Sequence, residues 1–181
     1  MLIVPVELFV LFAVLSCHSQ AYGLAYSNYT SEKHRIAFQY PTDWTVDEKT
    51  NRFQEQAPIT ITDNAGTTQI SVLHRFLGFN VTDIGAMTNE YYNTGLSKSG
   101  NYDVRLIEPI HLLNIDNHSA ASFVAAGDRG EETGATQIWM VAVDNQVYSF
   151  VFVSTPDTFD SPESTEIRNH FINSVNFLGA E

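Results

Sequence analysis

The stretch from Asp103 to Thr155 constrains the fold more than any other part of the chain. "DVRLIEPIHLLNI", "SAASFVAAG", "TQIWMVAVD" and "QVYSFVFVS" follow one another, divided by Asp116-Asn117, by residues 128–134 and by Asp144-Asn145. The last of these is a two-residue link of the kind that closes a tight β-hairpin. In "VYSFVFV", Val147, Val151 and Val153 share one face, and Tyr148, Phe150 and Phe152 share the other. An antiparallel strand with one wet side alternates apolar and polar residues. A strand that is apolar on both faces belongs in the middle of a sheet with a layer on each side.

The flanking segments can supply those layers and further strands. Tyr26 to Arg35 is polar and reads as extended or loosely turned. "IAFQYPTDWTV" alternates Ile36, Phe38 and Tyr40, breaks at Pro41 and resumes with Trp44 and Val46, which predicts strand, tight turn and short strand. "APITITDNAGTTQISVLHRF" predicts two strands around the turn Asp63-Asn64-Ala65-Gly66. Thr82 to Leu96 reads as a helix with Thr82 as cap, Asp83 in the first turn and Ile84, Met87 and Tyr91 on one face, weakened by Gly85 and Gly95. Ser161-Pro162-Glu163 opens a second helix, whose stripe of Ile167, Phe171, Ile172 and Val175 can cover a sheet face.

A chain of 181 residues with 44% hydrophobic and 17% charged residues suits a single well-cored domain, placed here at 26–178. The net charge of −12, with nine Lys and Arg scattered along the chain, excludes a nucleic-acid surface and a face held on anionic lipid by charge. Residues 1–21 read as a secretory signal peptide: an apolar run from Leu8 to Leu15, then Ser19-Gln20-Ala21, with Gly23-Leu24-Ala25 as the second cleavage choice. Two features depart from the pattern, the lack of an early Lys or Arg and the presence of Glu7. The run is too short to span a bilayer, which needs about 20 apolar residues. Cys17, the only cysteine, follows Val14-Leu15-Ser16 in a lipoprotein-like order and is either acylated or lost with the leader. Either way the mature fold has no thiol to pair within it. A secreted or extracytoplasmic location follows, with attachment to the outer membrane face if Cys17 carries lipid.

Several segments in their order resemble a known family. Tyr40-Pro41-x-x-Trp44 follows an early apolar strand, the paired strands Trp139 to Val143 and Val147 to Val153 come later, and Phe171-Ile172-x-Ser174-Val175-x-Phe177 ends the last helix. Together, over about Tyr26 to Phe177, they resemble the PsbP family, whose founding members are extrinsic subunits of the photosystem II oxygen-evolving complex. Stand-alone secreted relatives occur in prokaryotes that do not photosynthesise. The resemblance implies an α/β/α sandwich on a central antiparallel sheet of about six strands. It also implies a non-catalytic role, docked on a membrane complex and helping retain calcium, manganese or chloride. The docking segment of the plant members is short or absent here, and this chain is acidic where they use basic residues. What carries over is the fold and a broad adaptor role.

Candidate sites are sparse. His74, beside Ile70, Val72 and Phe76 on an alternating strand, reads as a neutral, hydrogen-bonded core filler, because a metal ligand needs partners at fixed spacing. Asp116 and His118 lie two apart on one face of an extended backbone, with His111 nearby, a pair that suits zinc or copper unless Asp116-Asn117 is a hairpin turn facing water. Asp128, Glu131 and Glu132 on the glycine-punctuated "GDRGEETG" offer hard oxygen donors for calcium, without the spacing of a dedicated calcium loop. Asn28, Asn80 and Asn117 head sequons and are glycan acceptors after export. The sequence holds no Gly-x-Ser-x-Gly, His-Glu-x-x-His or phosphate-loop motif. The expected function is a monomeric, non-enzymatic extracytoplasmic module associated with a membrane or envelope protein complex. A calcium, zinc or copper carrier is the alternative, and an unrecognised hydrolase the second. No cofactor is assigned beyond calcium or a transition metal.

Overall fold

The strands, in chain order, are β1 (Tyr26–Ser31), β2 (Ile36–Pro41), β3 (Thr45–Glu48), β4 (Ile59–Thr62), β5 (Gln69–Phe76), β6 (Asp103–Ile115), β7 (His118–Arg129), β8 (Glu132–Val143), β9 (Gln146–Ser154) and β10 (Asn176–Phe177). The helices are α1 (Ile84–Glu90), which continues as a π-helical segment (Tyr91–Leu96), α2 (Pro156–Phe159) and α3 (Pro162–Ser174). They come from a computed structural model that describes residues 23–48, 58–96, 103–129 and 132–179. Residues 1–22, which hold Cys17 and the expected leader, lie outside them.

Seven of these strands form one antiparallel sheet in the order β3-β4-β5-β9-β8-β7-β6, one strand more than the six expected. β9 is its middle strand, paired with β5 and β8. Its two apolar faces have that cause. Tyr148, Phe150 and Phe152 are buried on one face, and Val147 is buried on the other. The strand links follow local chemistry. Asp63 closes the β4–β5 turn by accepting the Thr67 N–H and the Thr67 hydroxyl, each at 2.8 Å, while Gly66 supplies a φ of +72°.

The layer on the Phe150 face is mixed. A second sheet, β1-β2-β10, lies there together with α2 and α3. β1 is the polar stretch expected to be extended or loosely turned; it is a strand because β2 pairs with it along its whole length, Tyr26 opposite Pro41 through Ser31 opposite Ile36. Ser161 caps α3 by accepting the Ser164 N–H at 3.1 Å, Pro162 takes the first helical position, and Ile167, Phe171 and Ile172 turn inward. With Ile36, Phe38, Phe150 and Phe152 they build the larger core.

The opposite face is covered by α1 and its π-helical continuation, which pack on β6, β7 and β8 and form a smaller core around Ile84, Phe123, Ile138 and Met140. Asp83, not Thr82, caps α1, accepting the Ala86 N–H at 2.8 Å. Gly85 sits close to β6: a Cβ there would stand 3.1 Å from Leu112 Cδ2, so a larger residue would push that side chain aside. The cover is partial. Over β5 and the far end of β9 this face is open, and Leu73 and Val153 are exposed on it. The sandwich is therefore two-sided over β6–β8 and one-sided over part of β5.

Candidate functional site

β5 presents polar chemistry on each of its faces. On the side of the small sheet, His74 stacks on Tyr148 with ring centroids 4.7 Å apart, and its Nε2 lies 2.6 Å from Gln146 Oε1. An amide oxygen only accepts, so this contact places the proton on Nε2. The Tyr148 hydroxyl donates to the His34 carbonyl at 2.9 Å. His34 comes from the β1–β2 turn, is 3% exposed, and meets His74 edge to face. Its Nε2 lies 3.3 Å from Glu48 Oε1 but off a hydrogen-bond axis, and so is buried without an aligned partner. Tyr29 donates its hydroxyl to Glu48 Oε2, and Lys33 Nζ stands 3.8 Å from Oε1.

Burial pushes both imidazoles below their ordinary value, against the pull of Glu48 on His34 and of the Gln146 hydrogen bond on His74. Burial, then the Glu48 hydrogen bond, pushes the Tyr29 phenol up to about 12. The cluster is a polar clasp of two imidazoles that ties the β1–β2 turn to β3, β5 and β9. His74 sits hydrogen-bonded within it. Among the described residues no group of three His, Cys, Asp or Glu is arranged to hold a metal ion. His34 gave no signal in the sequence, because it lies in the polar Lys33-His34-Arg35 with no periodicity around it.

On the other side of β5 a groove of about 390 Å³ separates the strand from α1 and the π-helical segment. Met87 and Tyr91 form one wall, Met140 and Val147 the floor, and Leu73 and Arg75 the far wall. Leu73 is 41% exposed. Glu90 also lines the groove, yet no described carboxylate lies within ion-pair distance of Arg75. The Tyr91 phenol is pushed up by burial and drawn down by Arg75, so the guanidinium acts on that end of the groove. Past the groove, β5 runs into a turn held by the Leu77 N–H on the Asn145 carbonyl at 2.9 Å and by Gly78 at φ +76°. Phe76 and Phe79 flank it, 60% and 59% exposed.

The expected metal pair is engaged elsewhere. Asp116 and Asn117, at φ +48° and +63°, form the two-residue β6–β7 turn. Their neighbours are not simply in water: Asp116 Oδ2 accepts the Phe177 N–H at 2.8 Å, and the His118 ring packs edge-on against Phe177 at 5.3 Å. Both side chains thus hold β10. His111 is exposed on β6. At the β7–β8 tip Asp128 stands opposite Thr133 and Glu132 opposite Arg129, but Glu131 and the side chains of all three acidic residues lie outside the described residues. Asn28, Asn80 and Asn117 are all exposed.

Comparison with known proteins matches this architecture. No curated protein matches the chain. The solution structure of cyanobacterial PsbP (CyanoP) from Synechocystis sp. PCC 6803 has a TM-score of 0.66 at 14% identity, covering 91% of this chain and 98% of that one. LpqN, described as involved in cell envelope biogenesis of Mycobacterium tuberculosis, has a TM-score of 0.54 at 11% identity over 86% of each chain. A protein of Bacteroides thetaiotaomicron VPI-5482 gives 0.55 at 11% over 83% of this chain, which spans 47% of that longer protein. At such identities the likeness is one of fold. The family described as PsbP-like protein, however, matches residues 18–177 by sequence, and with nearly its whole length matched this chain belongs to the PsbP-like protein family.

Proposed function

We propose that this chain is a non-catalytic, extracytoplasmic accessory module that binds a membrane or envelope protein complex through the end bearing Phe76 and Phe79. The observation that carries this reading is the exposure of those two rings, 60% and 59%, on a turn that holds them away from both cores. Burying a Phe is worth about 1.5–3 kcal/mol, which a free-standing surface forgoes and an interface recovers. Aromatic side chains are also the common anchors of protein interfaces. Strongly acidic, with the whole chain at a net charge of −12 and Glu7 the one charge within residues 1–21, the module would be steered to a partner whose rim is basic. The family match and a relative described in envelope biogenesis support the same compartment.

Export would remove residues 1–21, and intact-mass measurement of the natively produced protein reads leader removal and Cys17 acylation together. Calcium retention would use Asp128, Glu131 and Glu132 at the β7–β8 tip. Calorimetric titration of metal-stripped protein with calcium tests that part alone. For docking, wild type and the F76S/F79S double variant are cross-linked in an envelope fraction. The expected result is a reproducible partner recovered by wild type and lost with the variant. Equal recovery by both proteins, or no partner with either, overturns the reading.

A further inference from the structure

We propose that the groove between β5 and the π-helical segment binds a single acyl chain with a carboxylate head, the carboxylate meeting Arg75. This site is separate from the Phe76/Phe79 end, and neither depends on the other. Its volume, about 390 Å³, falls in the small-molecule range. Its apolar lining is mostly aliphatic, Met87, Met140, Val147 and Leu73, beside the ring of Tyr91. Methionine adapts its shape to what it contacts, so this lining suits a bending hydrocarbon better than a flat ring system. The two methionines are the only ones beyond Met1, and both face this groove.

Charge selects the head group. Arg75 has no described carboxylate within ion-pair distance, as is true of every described Lys and Arg but Lys33; what sets it apart is that it lines an apolar groove. Arg75 and Tyr91 both line the groove, and the Tyr91 phenol can add a hydrogen bond to a bound carboxylate. Glu90 on the wall repels a second negative charge, which favours a monoanion over a phosphate monoester. The π-helical turn fits this assignment, because such segments are frequent where a helix wall is shaped for a ligand.

The methionines supply the assay. The natively produced protein, carrying ¹³C-methyl methionine, is titrated with monomeric dodecanoate, with dodecanol and with acetate, alone and as the Arg75→Gln variant. Arg75 is exposed, so the variant leaves the cores intact. The expected result is a saturable shift at Met87 or Met140 with dodecanoate, weakened roughly tenfold or more by Arg75→Gln and by removal of the charge in dodecanol, and no shift with acetate. No saturable shift with dodecanoate overturns the proposal. So does a dodecanoate affinity unchanged in Arg75→Gln, or a response only to phosphatidylglycerol vesicles, which would mark a membrane surface instead.

Discussion

The imidazoles of His34 and His74 meet at right angles with their ring centroids 6.0 Å apart, in the seam between the small sheet and the large one. Glu48 faces His34 from β3, Lys33 and Arg35 flank it in the β1–β2 turn, and Tyr148 and Gln146 face His74 from β9. Both imidazoles bind protons less readily in the folded chain than the ordinary 6.5, chiefly through burial. Protons therefore go first to the unfolded chain, and stability falls as pH drops below about 6.5 toward the folded values. Thermal melts between pH 7.5 and pH 5 should show a declining midpoint, with a shallower decline in His74→Gln. An equal slope in the two proteins would remove the imidazoles as the cause.

Asp116→Gly removes the acceptor of the Phe177 N–H while relieving the positive φ, so it isolates the hydrogen bond. Its loss should cost about 1–3 kcal/mol, the penalty for an unpaired buried N–H. Asp116→Asn keeps an acceptor and tolerates the left-handed backbone, and should stay near wild type. Denaturant unfolding of both variants checks this. If they unfold together, the bond does not hold β10.

Much of this fold was legible because the core-forming segments are strongly periodic. The β9 pattern put that strand mid-sheet, Asp63 to Gly66 marked a turn, and Ser161-Pro162-Glu163 marked the start of α3. What escaped has a common physical cause. β1 stayed open between extended and loosely turned because only part of it faces the core; pairing with β2, not its own composition, makes it a strand. The bare part of the sheet beside Leu73 depends on where α1 ends in space, which periodicity does not encode. The groove and the clasp escaped for the same reason. Arg75 and Tyr91, like His34 and His74, come together only through pairings far apart in sequence. The role of Asp116 as the anchor of Phe177 spans 61 residues.

The α1 cap offers a clean comparison of adjacent residues. Asp83→Ala should destabilise by about 0.5–2 kcal/mol, since Asp83 Oδ1 accepts the otherwise unpaired Ala86 N–H. Thr82→Ala should stay within about 0.5 kcal/mol, as expected of a substitution outside a cap or core. The same α1 closes one wall of the groove, so Asp83→Ala should also loosen Met87, read from its methyl linewidth. If Thr82→Ala proves the costlier change, the cap has been assigned to the wrong residue.

Arg168 poses a sharper energetic question, because its guanidinium is nearly buried on α3. It stands 3.9 Å from the centre of the Phe159 ring and 5.5 Å from that of Phe152, and donates to Thr165 Oγ1 at 3.2 Å. Burial pulls its pKa down, while Asp160 and Glu108 oppose that from a distance, neither within ion-pair reach. The rings of α2 and β9 thus take the place of a carboxylate. Arg168→Met keeps the packing of the aliphatic stem, and Phe159→Leu keeps an apolar filler of similar kind. A double-mutant cycle on these two should return a stabilising coupling of about 0.5–2 kcal/mol. A coupling of zero would mean the ring serves only as bulk, and that α2 is held against α3 by apolar packing without help from the charge.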